Sequence, residues 1–332
     1  MTISLVTILI AFLLSLALSS FVIPMMIRLK AGQPILKYID IHKVKSGRPT
    51  MGGVIFVLPV FLLTFLMGGK GITMGKYAAL IILGYSIIGF LDDYIKVRYK
   101  ENKGLKAYQK IIGQLAIAII ISIYAYQNQF ISTAISIPFT DYTVELGFFY
   151  ILFVIFVFIA TTNGANLLDG LDGLSSSVGI IYYFAFLVII LFGLHEAEYY
   201  GDVMLKSELT SLAIFDAAFA GSLLAFFWFN SAPGKIIMGD TGSLALGGGA
   251  AAVGVFSNNP LLIVIVGLMF VVSCLSDIIQ VAYFKITKGK RVFLMAPFHH
   301  HLEYKGIKEW KIVAYYAVIT VLMAVVAIIS IL

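Results

Sequence analysis

The chain has 332 residues, of which 61% are hydrophobic and only 12% charged, with a formal net charge of +6 and a single cysteine, Cys274. Such a composition excludes an ordinary soluble domain and describes an all-α polytopic membrane protein. One cysteine excludes internal disulfides and thiolate metal clusters, which leaves Cys274 as a small apolar filler.

In chain order, ten apolar segments approach the roughly 20 residues that cross about 30 Å of hydrocarbon. They centre on 3–26, 51–67, 77–95, 111–126, 147–162, 175–193, 211–229, 243–257, 261–283 and 312–332. The first is too long for a signal h-region and is followed by Arg28 and Lys30, so it reads as a transmembrane helix. The loops 27–50, 92–110, 230–242 and 284–311 hold 20 of the 23 Lys and Arg. The positive-inside rule makes that side cytoplasmic and puts both termini outside. Because the basic residues are juxtamembrane and one-sided, membrane lipid headgroups and topology account for them, and nucleic acid is not a partner in this reading. Outside, residues 130–147 alternate as a short β-hairpin, and the loop with His195, Glu196 and Glu198 reads as solvated and acidic. The whole of 1–332 is expected to be one domain, its active site built by loops 27–50, 92–110, 162–175, 230–242 and 284–311.

Polar chemistry collects in those loops. The segment KVKSGRPTMGG, 43–53, carries Lys45, Arg48 and Thr50, donors suited to a polyphosphate, although the order is not that of a Walker loop. Ending the third helix, LDDYIK places Asp92 and Asp93 after an uncharged run from Tyr77. Carboxylates near hydrocarbon are costly, and adjacent helical residues point about 100° apart; the pair needs a large cation between helices, or Asp92 simply pairs with Lys96. The link NGANLLDGLDGLSSS holds Asn163, Asn166, Asp169 and Asp172 with no basic residue. If it forms a first helical turn, Asp169 and Asp172 share a face beside Gly170; capping needs one Asp, not two Asp and two Asn. In FNSAPGKIIMGDTGS, Asn230 ends the seventh helix and Asp240 opens the eighth, whose N–H groups suit a phosphate accompanied by Mg2+. MAPFHHH supplies His299, His300 and His301, consecutive and so splayed, with no zinc-ligand spacing; one His donating to a phosphate while the others hold the loop fits better. The common denominator is phosphoryl transfer on a phosphate-rich substrate at a membrane, with a divalent metal.

The stretches PTMGG, LDDYIK, NLLDGLDGL, FNSAPGKIIMGDTGSLALGG and GKRVFLMAPFHHHLEYKG occur in order over nearly the whole chain. Together they resemble the phospho-N-acetylmuramoyl-pentapeptide transferases, a branch of the polyprenyl-phosphate N-acetylhexosamine-1-phosphate transferase superfamily. The triple histidine favours this branch over the N-acetylglucosamine-phosphate transferases, which are the alternative; a transporter is a remoter one, since Asp216, near the outer end of the seventh helix, is the clear ionisable residue off the cytoplasmic side. The resemblance implies transfer of phospho-MurNAc-pentapeptide from UDP-MurNAc-pentapeptide to undecaprenyl phosphate, giving lipid I and UMP with Mg2+ as cofactor. It implies the bacterial cytoplasmic membrane, a cytoplasmic active site, ten helices with periplasmic termini, a homodimer, and inhibition by nucleoside antibiotics such as tunicamycin. Carried over by position, it makes Asp92, Asp93, Asp240 and His299 catalytic, with Asp92 the base and Asp240 the metal ligand. Lys45, Thr50, Lys96, Lys110, Asn163, Asn166, Asp172, Asn230, Gln280, His300 and His301 become substrate-binding, and Asp169 and Gly170 lie near the uridine. Three positions depart from the resembled pattern: Ile237 stands where Phe is common, Leu168 where Thr is usual, and Asp277 in a helix position expected to be apolar.

Overall fold

The computed structural model describes residues 1–29, 48–71, 73–100 and 104–332. Twelve helices and one hairpin follow in order: α1 Thr2–Arg28, α2 Val54–Met67, α3 Met74–Tyr99, α4 Ala107–Gln127, β1 Ala134–Ser136, β2 Thr143–Glu145, α5 Phe149–Leu168, α6 Leu174–Tyr199, α7 Val203–Asn230, α8 Gly239–Phe256, α9 Leu262–Val266, α10 Leu268–Ile286, α11 Phe298–Tyr304 and α12 Glu309–Ile329. Among the described residues, eight helices are long and apolar enough to cross a membrane, where ten crossings were expected: α1, α3, α4, α5, α6, α7, α10 and α12. Two elements account for the difference. With 14 residues, α2 reaches only about 21 Å at the rise of an α-helix. The second, α8, is rich in Gly and Ala and therefore weak in hydropathy, yet every residue in it except Asp240 is buried. A helix enclosed by other helices needs small residues for close approach more than it needs an apolar face for lipid.

Two helices organise the packing. The long helix α7 lies against α1, α2, α3 and α6, while α8 packs chiefly on α3 and α5. The α3–α8 contact is backbone on backbone at the site end, because a Cβ on Gly89 would collide with the Asp240 carbonyl group. That approach sets the Asp-bearing turn of α3 directly beside the first turn of α8.

Four boundary differences from the sequence expectation matter most; in addition, His195, Glu196 and Glu198, expected in a loop, lie at the end of α6. Helix α3 continues past Asp92 and Asp93 to Tyr99, where Lys100 closes it in the left-handed conformation at φ 53°. Helix α7 starts at Val203, with the Asp202 carboxylate accepting the Leu205 N–H at 2.9 Å. Asp216 therefore stands at the midpoint of a 28-residue helix rather than near its outer end, fully buried, and neither carboxylate oxygen has a hydrogen-bond partner among the described residues. Residues 169–173 form the turn between α5 and α6, not a first helical turn. The expected single segment 261–283 is broken at Gly267, whose N–H returns to the Ile263 carbonyl at 2.8 Å, closing α9 before α10 begins. The hairpin is where alternation put it, antiparallel with Ile135 opposite Val144, and Asn258 ties it to the bundle through Phe130 O and Ser132 N–H.

Candidate active site

Asp93 is completely buried on α3 and faces the start of α8. Its carboxylate accepts the Asp240 N–H at 3.2 Å, the Thr241 N–H at 2.9 Å and the Thr241 hydroxyl at 2.7 Å. It thereby satisfies the orphan amides of a helix start and sets negative charge against the positive end of the helix dipole. The anion expected at the α8 N-terminus is thus a side chain of the protein itself.

With that helix fixed, Asp240 projects from its first turn toward α3 and α4. Asn166 of α5 donates to Asp240 Oδ1 at 2.7 Å and to Ser243 at 2.8 Å. Lys110 of α4 meets Asp240 Oδ2 at 2.6 Å. Lys96 reaches the same oxygen at 3.1 Å and lies 2.5 Å from Asp92 Oδ2 and 3.9 Å from Asp93 Oδ1. Asp92 Oδ1 accepts the Leu105 N–H at 2.7 Å, which holds the loop before α4 against α3. A cleft opens here, lined by Asp92, Lys96, Lys106, Lys110 and Asp240. Of the two sequence readings of the pair, the i to i+4 pairing of Asp92 with Lys96 is present, and the Lys96 ammonium also reaches Asp240 of α8.

This donor set suits a hard divalent cation. Ligand oxygens of Asp92, Asp93 and Asp240 all lie within 4.8 Å of one another, and the Lys96 ammonium stands among them as positive charge. Carboxylate oxygens at a shared point are the ligands that Mg2+ takes.

The remaining expected residues surround this centre in two ways. Thr50 is buried against Gly239, and its strand-like segment is strapped to the residues before α8 by Ile237 N–H to Pro49 O, Gly52 N–H to Ile237 O and Gly53 N–H to Met238 O. Half-buried Ile237 thus contributes backbone rather than an aromatic face. Asp169, at the end of α5, is held well above the usual carboxylate range by burial and by the charges of Asp240, Asp93 and Asp172. His299 is fully buried and lies on Gly170, where any Cβ would run into its Nε2. Gly170 is therefore the seat of His299, which couples the α5–α6 turn to α11.

Asp172 and Asn230 hold backbone together. Asp172 pairs with Arg48 and accepts the Gly234 N–H at 3.0 Å, while its own N–H donates to Glu309 at 2.6 Å. Asn230 accepts from Gly173 N–H and Ser176 hydroxyl and donates to Ile236 O. Gln280 accepts the Val292 and Phe293 amides and donates to Phe293 O, pinning the loop before α11. His301 Nδ1 accepts the Leu294 N–H at 3.1 Å; burial and Lys305 hold its imidazole below the usual range, in keeping with this acceptor role. His300 pairs with Glu303 at 3.0 Å. Asn163 donates to Gln114 at 2.7 Å, one turn of α5 away from Asn166. Lys45 lies outside the described residues. Sequence reasoning missed Gln114, whose signal was a polar residue inside an apolar segment, and Leu105 and Glu309, whose roles left no sequence signal.

Beside Asn163, an apolar groove runs between α5, α9 and α10, lined by Phe156, Val264, Val271, Cys274 and Ile278 among others.

The chain is similar to known proteins over nearly its whole length. A family model described as Glycosyl transferase family 4 matches residues 76–258. A protein of Clostridium novyi (strain NT) named phospho-N-acetylmuramoyl-pentapeptide-transferase is 41% identical over 331 residues, 99% of this chain and 97% of the relative. Proteins of the same name from Geobacillus sp. (strain WCH70) and Bacillus pumilus (strain SAFR-032) are each 42% identical, covering 97% of this chain and 95% and 96% of their own lengths.

Proposed function

We infer the reaction from the premise that this chain belongs to glycosyl transferase family 4, in its phospho-N-acetylmuramoyl-pentapeptide-transferase branch. It is a membrane transferase of peptidoglycan synthesis that moves phospho-MurNAc-pentapeptide from UDP-MurNAc-pentapeptide to undecaprenyl phosphate, giving lipid I and UMP. The observation that carries this reading is the convergence of three carboxylates and two lysines at a cleft between α3, α4 and α8.

In this proposal Lys96 and Lys110 take phosphate oxygens and Asp92 accepts the proton of the lipid phosphate as general base. The deprotonated oxygen attacks the β-phosphorus of the UDP-sugar; the bond from that phosphorus to the bridging oxygen breaks, and UMP leaves. His299, seated on Gly170, is the donor assigned to the pyrophosphate. Asp240, with Asp92 and Asp93, would hold Mg2+, which neutralises pyrophosphate charge when bound. The apolar groove beside α10 has the chemistry of a prenyl chain's surroundings, and Asn163 at its edge leads toward Asp240 along α5.

The proposal also includes ten crossings, with α2 and α8 completing the bundle, periplasmic termini, a cytoplasmic site in the bacterial cytoplasmic membrane, a homodimer and inhibition by nucleoside antibiotics. The test is UMP release by purified protein given undecaprenyl phosphate with either UDP-MurNAc-pentapeptide or UDP-N-acetylglucosamine. Turnover of the first alone is expected, with Asp92→Asn lowering kcat at least ~100-fold, within the range of general acid–base catalysis. Preference for the second sugar would assign the chain to the sister activity. A labelled phospho-enzyme formed without lipid acceptor would replace direct attack by a two-step route.

A further inference from the structure

Glu309 opens α12 and belongs to none of the groups assigned to substrate or metal. An acidic residue in the first turn of a helix ordinarily serves that helix's own dipole. Half-buried Glu309 reaches further and accepts the Asp172 N–H, in the turn between α5 and α6, at 2.6 Å. Neighbouring amides of that turn are held from elsewhere: Gly170 N–H by Leu168 O at 2.9 Å and Gly173 N–H by Asn230 of α7 at 3.1 Å. A buried amide without an acceptor is costly, so α12 completes the turn that carries Gly170.

The link between α11 and α12 is stiff. Gly306 stands at φ 85°, its N–H donates to Glu303 O at 2.8 Å, and the Ile307 N–H donates to Leu302 O at 3.2 Å. Those two bonds around a left-handed glycine close the end of α11 and fix the direction in which the chain leaves it. Helix α12 then packs along α6, with Ile312 fully buried in its first turns. His299, on α11, and Glu309, on α12, therefore ride on one rigid piece. The α5–α6 turn meets that piece at two points: the His299 ring lies on Gly170, and Glu309 holds the Asp172 N–H. Asp172 cannot follow a displaced α12, because its carboxylate is bound to Arg48 and to the Gly234 N–H. Loss of the Glu309 contact would leave the piece free to tilt about its other point of attachment, which is His299.

We propose that Glu309 is a positioning residue for His299: by accepting the Asp172 N–H it sets the depth at which α11 presents that imidazole to the pyrophosphate of the soluble substrate. This deepens the transferase reading and rests on it, through the role that reading gives His299. Glu309 acts through His299 and the turn beneath it and touches no reacting group. A small misplacement of a binding group is enough to matter, because contacts to the pyrophosphate depend steeply on distance and direction.

The experiment titrates UDP, which carries the pyrophosphate and is not turned over, into the full chain in detergent with Mg2+ and no lipid acceptor, and reads Kd by calorimetry. The proteins are the wild type, Glu309→Ala, Glu309→Gln, His299→Ala and the double variant Glu309→Ala with His299→Ala. Glu309→Ala should raise the UDP Kd about 10-fold, the size of one hydrogen bond involving a charged group, and Glu309→Gln, which keeps an accepting oxygen, should stay within about three-fold of wild type. In the His299→Ala background the same Glu309→Ala change should alter Kd by less than about two-fold, because residues that act through one another do not add. In UMP release by Glu309→Ala, the KM for UDP-MurNAc-pentapeptide should rise with Kd, while the KM for undecaprenyl phosphate stays within about two-fold of wild type. An increase by the same factor in both backgrounds, or an unchanged Kd in Glu309→Ala, would overturn the positioning role; an acid that serves only its own helix dipole gives that result, with a lowered thermal transition. UMP release by the wild type judges the transferase reading separately, since its absence would sink that reading whatever the Kd values. If Glu309→Ala fails to fold, as judged by its thermal transition, Glu309→Asp, one methylene shorter and so withdrawn from the Asp172 N–H, runs the same cycle.

Discussion

Asp169 is a carboxyl group crowded by other carboxylates, against which it has one hydrogen bond from the Gly239 backbone. Burial and the carboxylates of Asp240, Asp93 and Asp172 raise its affinity for a proton in the folded chain. Its stabilising contribution is therefore complete below the ordinary aspartate range near pH ~4 and is lost as pH rises through the raised folded value. Asp169→Asn, which resembles the protonated side chain, should melt above the wild type at pH 8 in metal-free buffer. The gap should close as the pH is lowered toward 4, as thermal unfolding in detergent would read. At this scale the sequence displayed residue types and not partners. It singled out Asp92, Asp93, Lys96, Lys110, Asn166 and Asp240, which the fold brings together. It could not show that Gly170 is a seat for His299, because that contact joins positions 129 residues apart by way of a turn.

At the scale of elements, the site depends on how α8 begins. Its first turn is capped from another helix, by Asp93 of α3, so the side chain that fixes α8 also fixes where Asp240 points. Asp93→Ala should destabilise the protein by about 2 kcal/mol, from a lost cap and uncompensated amides. It should also abolish turnover, whereas Asp93→Asn, which retains acceptor capacity, should lose less stability. Chemical denaturation followed by helical circular dichroism separates the two. Helix positions were legible because long apolar runs announce themselves, and the alternation in 130–147 announced the hairpin. Helix ends were less legible: α3 runs two turns past its aspartates because Lys96 and Arg98 lie on a helix that leaves the apolar layer without stopping. The break at Gly267 was hidden inside an uninterrupted apolar segment, where hydropathy cannot distinguish one helix from two.

At the scale of the whole molecule, Asp216 is a carboxylate buried in the interior of the bundle. Fully buried at the midpoint of α7, it has two carboxylate oxygens without hydrogen-bond partners among the described residues, and the ionisable side chains beside it are Tyr182 and Tyr183 of α6. Its replacement removes unsatisfied polar atoms, so Asp216→Ala should melt at or above the wild-type temperature and keep UMP release. A fall of several degrees would mean that the carboxylate has a partner in the membrane. The fold class was legible from composition alone, while the packing order was not, since α8 owes its central place to small residues that hydropathy undervalues. The backbone contact of α3 with α8 at Gly89 has a consequence for which substitutions the cleft tolerates. The floor of the cleft is an anvil: Asp93 and Gly89 hold two helices together there, so a substitution that reshapes the floor also loosens the helix contact.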